Sequence, residues 1–210
     1  MKSLAIIIVS WNVKTLLANC LRSVQADLAG GWIQGQIWVV DNASSDGSVE
    51  LLRRDFPAVN LIASETNLGF AGGNNAALRA IGFDQPGLDP ASLPDAVLLL
   101  NPDTIVHPSA LVALLEFLAH TPQAGIAGAQ LVYEDGSFQH GAFGLPGLWQ
   151  LAIELLPLPG RLVESRFNGR YPRAWYEQGR PFAIGHPLGA AMTVRREAIL
   201  QAGLLDEGYH

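Results

Sequence analysis

Apolar positions along this chain change period repeatedly, and the changes mark out alternating strands and helices. Residues 4–9 form an unbroken, isoleucine-rich run, the pattern of a strand buried on both faces of a parallel sheet. Leu16, Leu17, Cys20, Leu21, Val24 and Leu28 then recur at three- and four-residue steps, predicting a helix over 13–28 that packs back on the strand and ends at Gly30 and Gly31. A second strand is expected at 37–40. Asp46 and Gly47 open a helix that carries Ser48, Leu51, Leu52 and Phe56 and stops at Pro57. Residues 59–63 read as a third strand, 69–73 as a glycine-rich turn, 74–81 as a helix, and 96–100 as a fourth and wholly apolar strand.

Beyond a proline-rich surface loop at 83–94, Pro108 opens a helix through Leu111, Leu114, Leu115 and Leu118 that ends before Pro122. Residues 125–133 and 189–194 read as further strands. The pattern degrades over 135–182 into glycine, proline, aromatics and arginine, an irregular excursion or small subdomain. The expected fold class is α/β, a mostly parallel central sheet flanked by helices, with ligands in the crevice beyond the strands' carboxyl ends.

Composition narrows the field. With 210 residues, 49% of them hydrophobic, the chain can bury a core as one domain without disulfides or a structural metal. Its 13 basic against 19 acidic residues leave a formal charge of -6, the wrong balance for a nucleic-acid partner. The single cysteine, Cys20, lies in an apolar helical pattern and reads as a buried thiol in a reducing compartment. The opening apolar run is too short for a signal peptide and no uncharged stretch is long enough to span a bilayer, so a cytoplasmic protein is expected. The run 204–210 has no cap or polar tail and reads as cut rather than finished.

Four polar clusters each follow a predicted strand, and in an open α/β sheet they converge on one edge. They are Ser10-Trp11-Asn12, the run Asp41 to Gly47, the run Asn67 to Asn75, and Asn101-Pro102-Asp103. Trp11 offers a flat face for a nucleobase, and Asp41 an acceptor for a base imide or a ribose hydroxyl. The plain alternatives are a packing aromatic and a turn, and for Asp46 a helix cap. Gly69, Gly72 and Gly73 would let backbone amides approach a phosphate at a helix start, but the spacing fails both G-x-G-x-x-G and the P-loop. A turn needing glycine at positive φ is the plain reading there. Asn101 and Asp103 place an amide and a carboxylate where Mg²⁺ or Mn²⁺ could bind, its other positions filled by phosphate and water. The alternative is an Asn-Pro-Asp turn. Single histidines, including His107, His120, His140 and His186, show no metal-ligand spacing. His186 to Gly189 could line the site, and Arg195 and Arg196 could counter a diphosphate, although surface charge is the plainer reading of both arginines.

In these blocks the sequence resembles the family 2 glycosyltransferases, particularly a rhamnosyltransferase-like bacterial branch that builds cell-surface polysaccharide. The resemblance rests on residues 8–12, 39–47, 67–75 and 99–103, and continues into Gly189-Ala190-Ala191-Met192 and Gly203-Leu204-Leu205-Asp206-Glu207. It implies a single GT-A domain over 1–210, with a nucleotide-sugar half at 1–106 and an acceptor-side half at 107–210 whose C-terminal part is missing. It implies sugar transfer with inversion from a dTDP- or UDP-sugar to a saccharide or lipid-linked saccharide. The nucleotide-sugar residues it implies are Ser10, Trp11, Asn12, Asp41, Asn67, Gly69, Gly72, Asn75 and Asn101, with Asp103 holding a divalent cation, Mg²⁺ or Mn²⁺. Asn101 stands where the family's D-x-D motif has its first acidic residue.

The resemblance also implies a base in an acidic pair after the Leu-Asp-Glu block, expected beyond His210, which leaves a nucleotide-sugar binding module without turnover as the alternative for this chain. Asp206 and Glu207 would then be structural or acceptor-binding. Leu148, Trp149, Leu151, Ile153, Leu155 and Leu156, ahead of Arg161, Arg166, Arg170 and Arg173, form a mixture suited to peripheral contact with the inner membrane face, or an ordinary packed helix and a solvated loop.

Overall fold

A computed structural model describes residues 2–145, 147, 155 and 168–208 of the protein. Of the apolar and basic mixture in the excursion, Leu148, Trp149, Leu151, Ile153, Leu156, Arg161 and Arg166 lie outside the described residues, as does His210. Contacts divide the chain into two compact units, Met1–Ala127 with Gly189–His210, and Gly128–Leu188.

In the first unit the elements run β1 (Ser3–Ser10), α1 (Lys14–Leu28), β2 (Gln34–Asn42), α2 (Ser48–Asp55), β3 (Asn60–Ser64), α3 (Gly69–Ile81), β4 (Ala96–Leu100), α4 (Ala110–His120) and β5 (Ile126–Gly128), the last ending at the unit's boundary. After the second unit the chain returns as β10 (Ala191–Arg195) and α6 (Arg196–Ala202). The sheet order is β3-β2-β1-β4-β10-β5, with β1, β2, β3 and β4 parallel and β10 antiparallel to β4. Right-handed crossovers in that order put α1 and α2 on one face and return α3 on the other.

Two-sided cover explains the continuous apolar runs: Leu4 to Ile8 and all five residues of β4 are buried. A leucine or isoleucine buried so completely stabilises the fold by roughly 1.5–3 kcal/mol. Ala5, Ile7, Val40, Val97 and Leu99 pack with Ala77 and Leu78 of α3 and Ile199 of α6 as one cluster. Gly73 belongs to that packing, since a β-carbon there would lie 2.7 Å from Val9 Cγ1. β2 is longer than its apolar pattern because Gln34, Gly35 and Gln36 pair through their backbones with Ser3, Leu4 and Ala5.

The second unit contains β6 (Leu131–Val132) paired with β7 (Phe138–Gln139), β8 (Ala142–Phe143) paired with β9 (His186–Pro187), and the short helix α5 (Arg173–Glu177). The single strand expected at 125–133 is therefore two. β5 belongs to the large sheet, whereas β6 turns back at Tyr133, whose N–H and carbonyl bond Ser137 O and Gly136 N. Aromatic rings fill this unit: Phe138 meets His140 and Tyr176 edge-on, and Tyr176 meets Phe182. Among the described residues no helix is long and apolar enough to cross a membrane.

Candidate functional site

Parallel pairing brings the polar clusters to one edge. Ser10 and Asp41 are register partners at the ends of β1 and β2, Leu100 pairs with Ile8 so that Asn101 follows at the same end, and Ser64 ends β3 beside Asn42. The order reverses between β1 and β4, the switch point where an open α/β sheet leaves a crevice.

Three side-chain oxygens at this edge are buried without a hydrogen-bond partner: Ser10 Oγ, Asp41 Oδ2 and Asn42 Oδ1. Their residues are 0%, 1% and 3% exposed. Asp41 Oδ1 accepts the Ser44 N–H at 2.8 Å and Asn42 Nδ2 donates to Gly69 O at 3.2 Å, so both side chains are held while one oxygen of each remains unsatisfied. An unpartnered buried acceptor costs about 1–3 kcal/mol, which a donor-bearing ligand would relieve. Asn42 joins the candidate residues at this edge; the sequence reading did not single it out, although it is next to Asp41 in the same run.

Trp11 is 56% exposed. Asn12, at φ 53°, braces two loops: its N–H donates to Ser44 Oγ and its Oδ1 accepts the Ser45 N–H at 2.8 Å. The N-cap position of α2 is Gly47 and not Asp46, but Asp46 beside it serves two helix starts, accepting from Lys14 N at the start of α1 and from Ser48 N and Oγ at the start of α2. Burial pushes its carboxyl up, but these hydrogen bonds outweigh it and hold the pKa below the usual carboxylate value.

The expected glycine turn at 69–73 is instead the first turn of α3, which begins at Gly69. Asn67 Oδ1 accepts the Gly69 N–H at 2.9 Å and so fixes the entry, Gly69 has φ 69°, and Gly72 lies inside the helix close to Leu68. Asn75 is 1% exposed, and its amide is fully engaged within the protein. Its Nδ2 donates to Leu205 O and Glu207 Oε1, both at 2.8 Å, and its Oδ1 accepts the Leu205 N–H. Arg79 also pairs with Glu207. Hydrogen bonding by Asn75 and then by Arg79 holds the Glu207 carboxyl below its usual pKa, so the Leu-Asp-Glu block is clamped to α3.

Asn101 donates its N–H to Ala190 O, and its carbonyl accepts from Thr104 Oγ1. The resulting turn leaves Asp103 exposed. Cys20 Sγ lies beneath, 3.7 Å from Asn101 O, and burial chiefly pushes this thiol up to about 11, with Asp103 adding to the rise against the Thr104 hydrogen bond. Among the described residues no three His, Cys, Asp or Glu side chains come together as a metal cage. One exposed carboxylate still suits Mg²⁺ or Mn²⁺, because a hard cation can take one protein ligand and complete its shell with diphosphate and water.

Arg195 and Arg196 do not reach this edge. β10 is antiparallel to β4, so Arg195 pairs with Ala96 at the opposite end, bonding the carbonyls of Leu118, Thr121 and Ala124, while Arg196 bonds Leu93 O and pairs with Glu197. The same direction leaves Gly189 and Ala190 at the crevice. An apolar cavity of about 220 Å³ among α3, β10 and α6, walled by Leu78, Leu99, Met192 and Ile199, has no polar side chain in its lining.

The sequence model of Glycosyl transferase family 2 matches residues 5–186. The N-acetylglucosaminyl-diphospho-decaprenol L-rhamnosyltransferase of Mycobacterium tuberculosis, in two strains, is 28% identical over 174 residues, 82% of this chain and 56% of the relative. The chain thus spans about half the length of the curated relatives it matches. Among solved structures, the mannosyltransferase PcManGT from Pyrobaculum calidifontis, in complex with GDP-Man and Mn²⁺, is similar with TM-score 0.60 and 18% identity over 97% of this chain and 47% of that one. S. aureus TarS 1-349 is similar with TM-score 0.50 and 16% identity over 99% and 51%. These likenesses show the GT-A fold.

Proposed function

This chain belongs to glycosyl transferase family 2, and from that premise we propose that it binds a nucleoside diphosphate sugar at the carboxyl edge of β1, β2 and β4 and transfers the sugar to an acceptor hydroxyl. The observation that carries the reading is the trio of unsatisfied buried oxygens, Ser10 Oγ, Asp41 Oδ2 and Asn42 Oδ1, at the same edge as the exposed Asp103 carboxylate. A nucleoside supplies the imide and hydroxyl donors that such acceptors need. Trp11 stacks on the base, and the start of α3 runs beside the ribose and diphosphate.

Asp103 would hold the divalent cation, which supplies positive charge to the departing diphosphate when bound. The acceptor oxygen attacks the anomeric carbon as the bond to the diphosphate breaks, inverting that carbon, and the hydroxyl proton passes to a base. Glu207, engaged by Asn75 and Arg79, is not that base in this reading. The donor is a dTDP- or UDP-linked 6-deoxyhexose and the acceptor a lipid-linked N-acetylglucosaminyl diphosphate, by likeness to the rhamnosyltransferase relative. With such an acceptor the protein works in the cytoplasm at the inner membrane face, a reading the largely exposed Leu145 and Leu155 support.

The test is incubation with dTDP- or UDP-rhamnose and a short-chain N-acetylglucosaminyl-diphospho-lipid, following release of nucleoside diphosphate and the new glycolipid, with donor binding measured in parallel. Metal-dependent formation of one glycolipid is expected. Donor binding without any product would leave a binding module, and no donor binding would overturn the reading.

A further inference from the structure

Phe70 is the second residue of α3 and 46% exposed, yet the backbone of Gly69 and Phe70 is held by three side-chain hydrogen bonds. Gly69 N–H is bound to Asn67 Oδ1, Gly69 O accepts from Asn42 Nδ2, and Phe70 O accepts from Asn74 Nδ2 at 2.9 Å. Asn74 is itself 1% exposed. An exposed aromatic on so fixed a backbone loses little freedom when a ligand packs on it.

The ring also reaches far. A β-carbon placed on Gly189 would lie 4.0 Å from Phe70 Cζ, and the next residue, Ala190, accepts the Asn101 N–H. The side chain therefore extends from the α3 start, tied to β2 through Asn42, to the β4–β10 side of the crevice, where the turn bearing Asp103 begins. In the order β2-β1-β4-β10 the ring tip, beside Gly189, lies past the strand ends that carry Asp41, Ser10 and Asn101 in turn. A donor whose nucleoside meets Asp41 and Ser10 and whose diphosphate meets Asp103 runs along the edge in that same order, and its sugar, the next group along, comes to the ring. An aromatic face takes C–H groups in preference to hydroxyls, so the sugar it suits presents an apolar patch.

We propose that Phe70 determines donor-sugar specificity, its ring packing on the apolar face and deoxy carbon of a 6-deoxyhexose. The assignment rests on the nucleotide-sugar reading above and goes beyond it in naming the side chain that selects the sugar. Gly189 contributes by having no side chain there: alanine at that position would meet the ring at ordinary contact distance and narrow the space beside it.

The experiment is calorimetric titration of wild type, Phe70→Ala and Phe70→Leu with three probes in the presence of Mn²⁺: dTDP, dTDP-L-rhamnose, and dTDP-L-mannose, which differs from the rhamnose donor by one hydroxyl at C6. Thermal unfolding of each variant checks the fold. Wild type is expected to favour the rhamnose donor over the mannose donor about tenfold. Phe70→Ala is expected to bind dTDP within twofold of wild type, to lose about tenfold on dTDP-L-rhamnose, and to bring the two sugars to near equality; Phe70→Leu falls between. Equal losses on all three probes, or an unchanged preference, would overturn the assignment while leaving the nucleotide site standing. Wild type binding neither dTDP nor either sugar nucleotide would overturn both, so the two failures are distinguishable.

Discussion

At the scale of single residues, Asp41 concentrates the physical tension of the crevice. It is 1% exposed, one carboxylate oxygen is satisfied by Ser44 N–H, and the other has no partner. Fold stability alone would favour replacing such a group. Asp41→Asn keeps the shape and a carbonyl for Ser44, but removes the charge and turns the free acceptor into a donor. The expected outcome is a loss of about tenfold or more in nucleoside diphosphate affinity, equivalent to about 1.4 kcal/mol, with a ligand-free melting temperature equal to or above wild type. Calorimetry with thermal unfolding checks it, and undiminished affinity would remove Asp41 from the site. The sequence showed Asp41 because an acid ending an apolar run stands out. Asn75 looked the same on paper, an amide in a glycine-rich block, and only the tertiary position of residues 205–207 reveals that its amide is engaged there.

At the scale of elements, strands whose residues are buried on both faces were legible because burial writes itself into an unbroken apolar run, as in β1 and β4. Boundaries set by backbone pairing or by a remote side chain were not. Three residues of β2 follow register rather than hydrophobicity, and α3 starts five residues before its expected point because Asn67 Oδ1 holds its first N–H, that of Gly69, and Gly73 lets it approach Val9. Strand direction was equally hidden. Antiparallel β10 carries Arg195 and Arg196 away from the crevice, a fact no local pattern contains.

One such remote contact ties β1 to the start of β4. Burial pushes the Asp95 carboxyl up, but hydrogen bonds from Lys2 N, Ser3 N and Ser3 Oγ outweigh it and lower its pKa. A lowered folded pKa means stability present above the unfolded value of about 3.9 and lost as pH falls through the folded one. Asp95→Asn is therefore expected to lose about 1 kcal/mol in urea unfolding at pH 7. The deficit should hold constant down to about pH 5 and shrink below about pH 4; a deficit that grows with acid would contradict this account.

At the scale of the whole molecule, the order β3-β2-β1-β4 turns four separate polar clusters into one edge and places the switch point between Ser10 and Asn101. That convergence was legible from strand and helix alternation, since parallel strands share a carboxyl end. The division into two units was legible only as a loss of pattern after residue 135, because short paired strands and an aromatic cluster leave no period to read. The central claim is that this edge is a metal-assisted nucleoside diphosphate site. Its most direct test is thermal unfolding with UDP, dTDP and GDP, with and without Mn²⁺, on this chain and on Asp103→Ala. A ligand at a hundred times its Kd adds about 2.7 kcal/mol, or roughly 5–10 °C for a protein of this size. The expected result is a rise of that order with UDP or dTDP that needs Mn²⁺ and vanishes in Asp103→Ala; no rise with any diphosphate at saturating concentration, with or without metal, would contradict the claim.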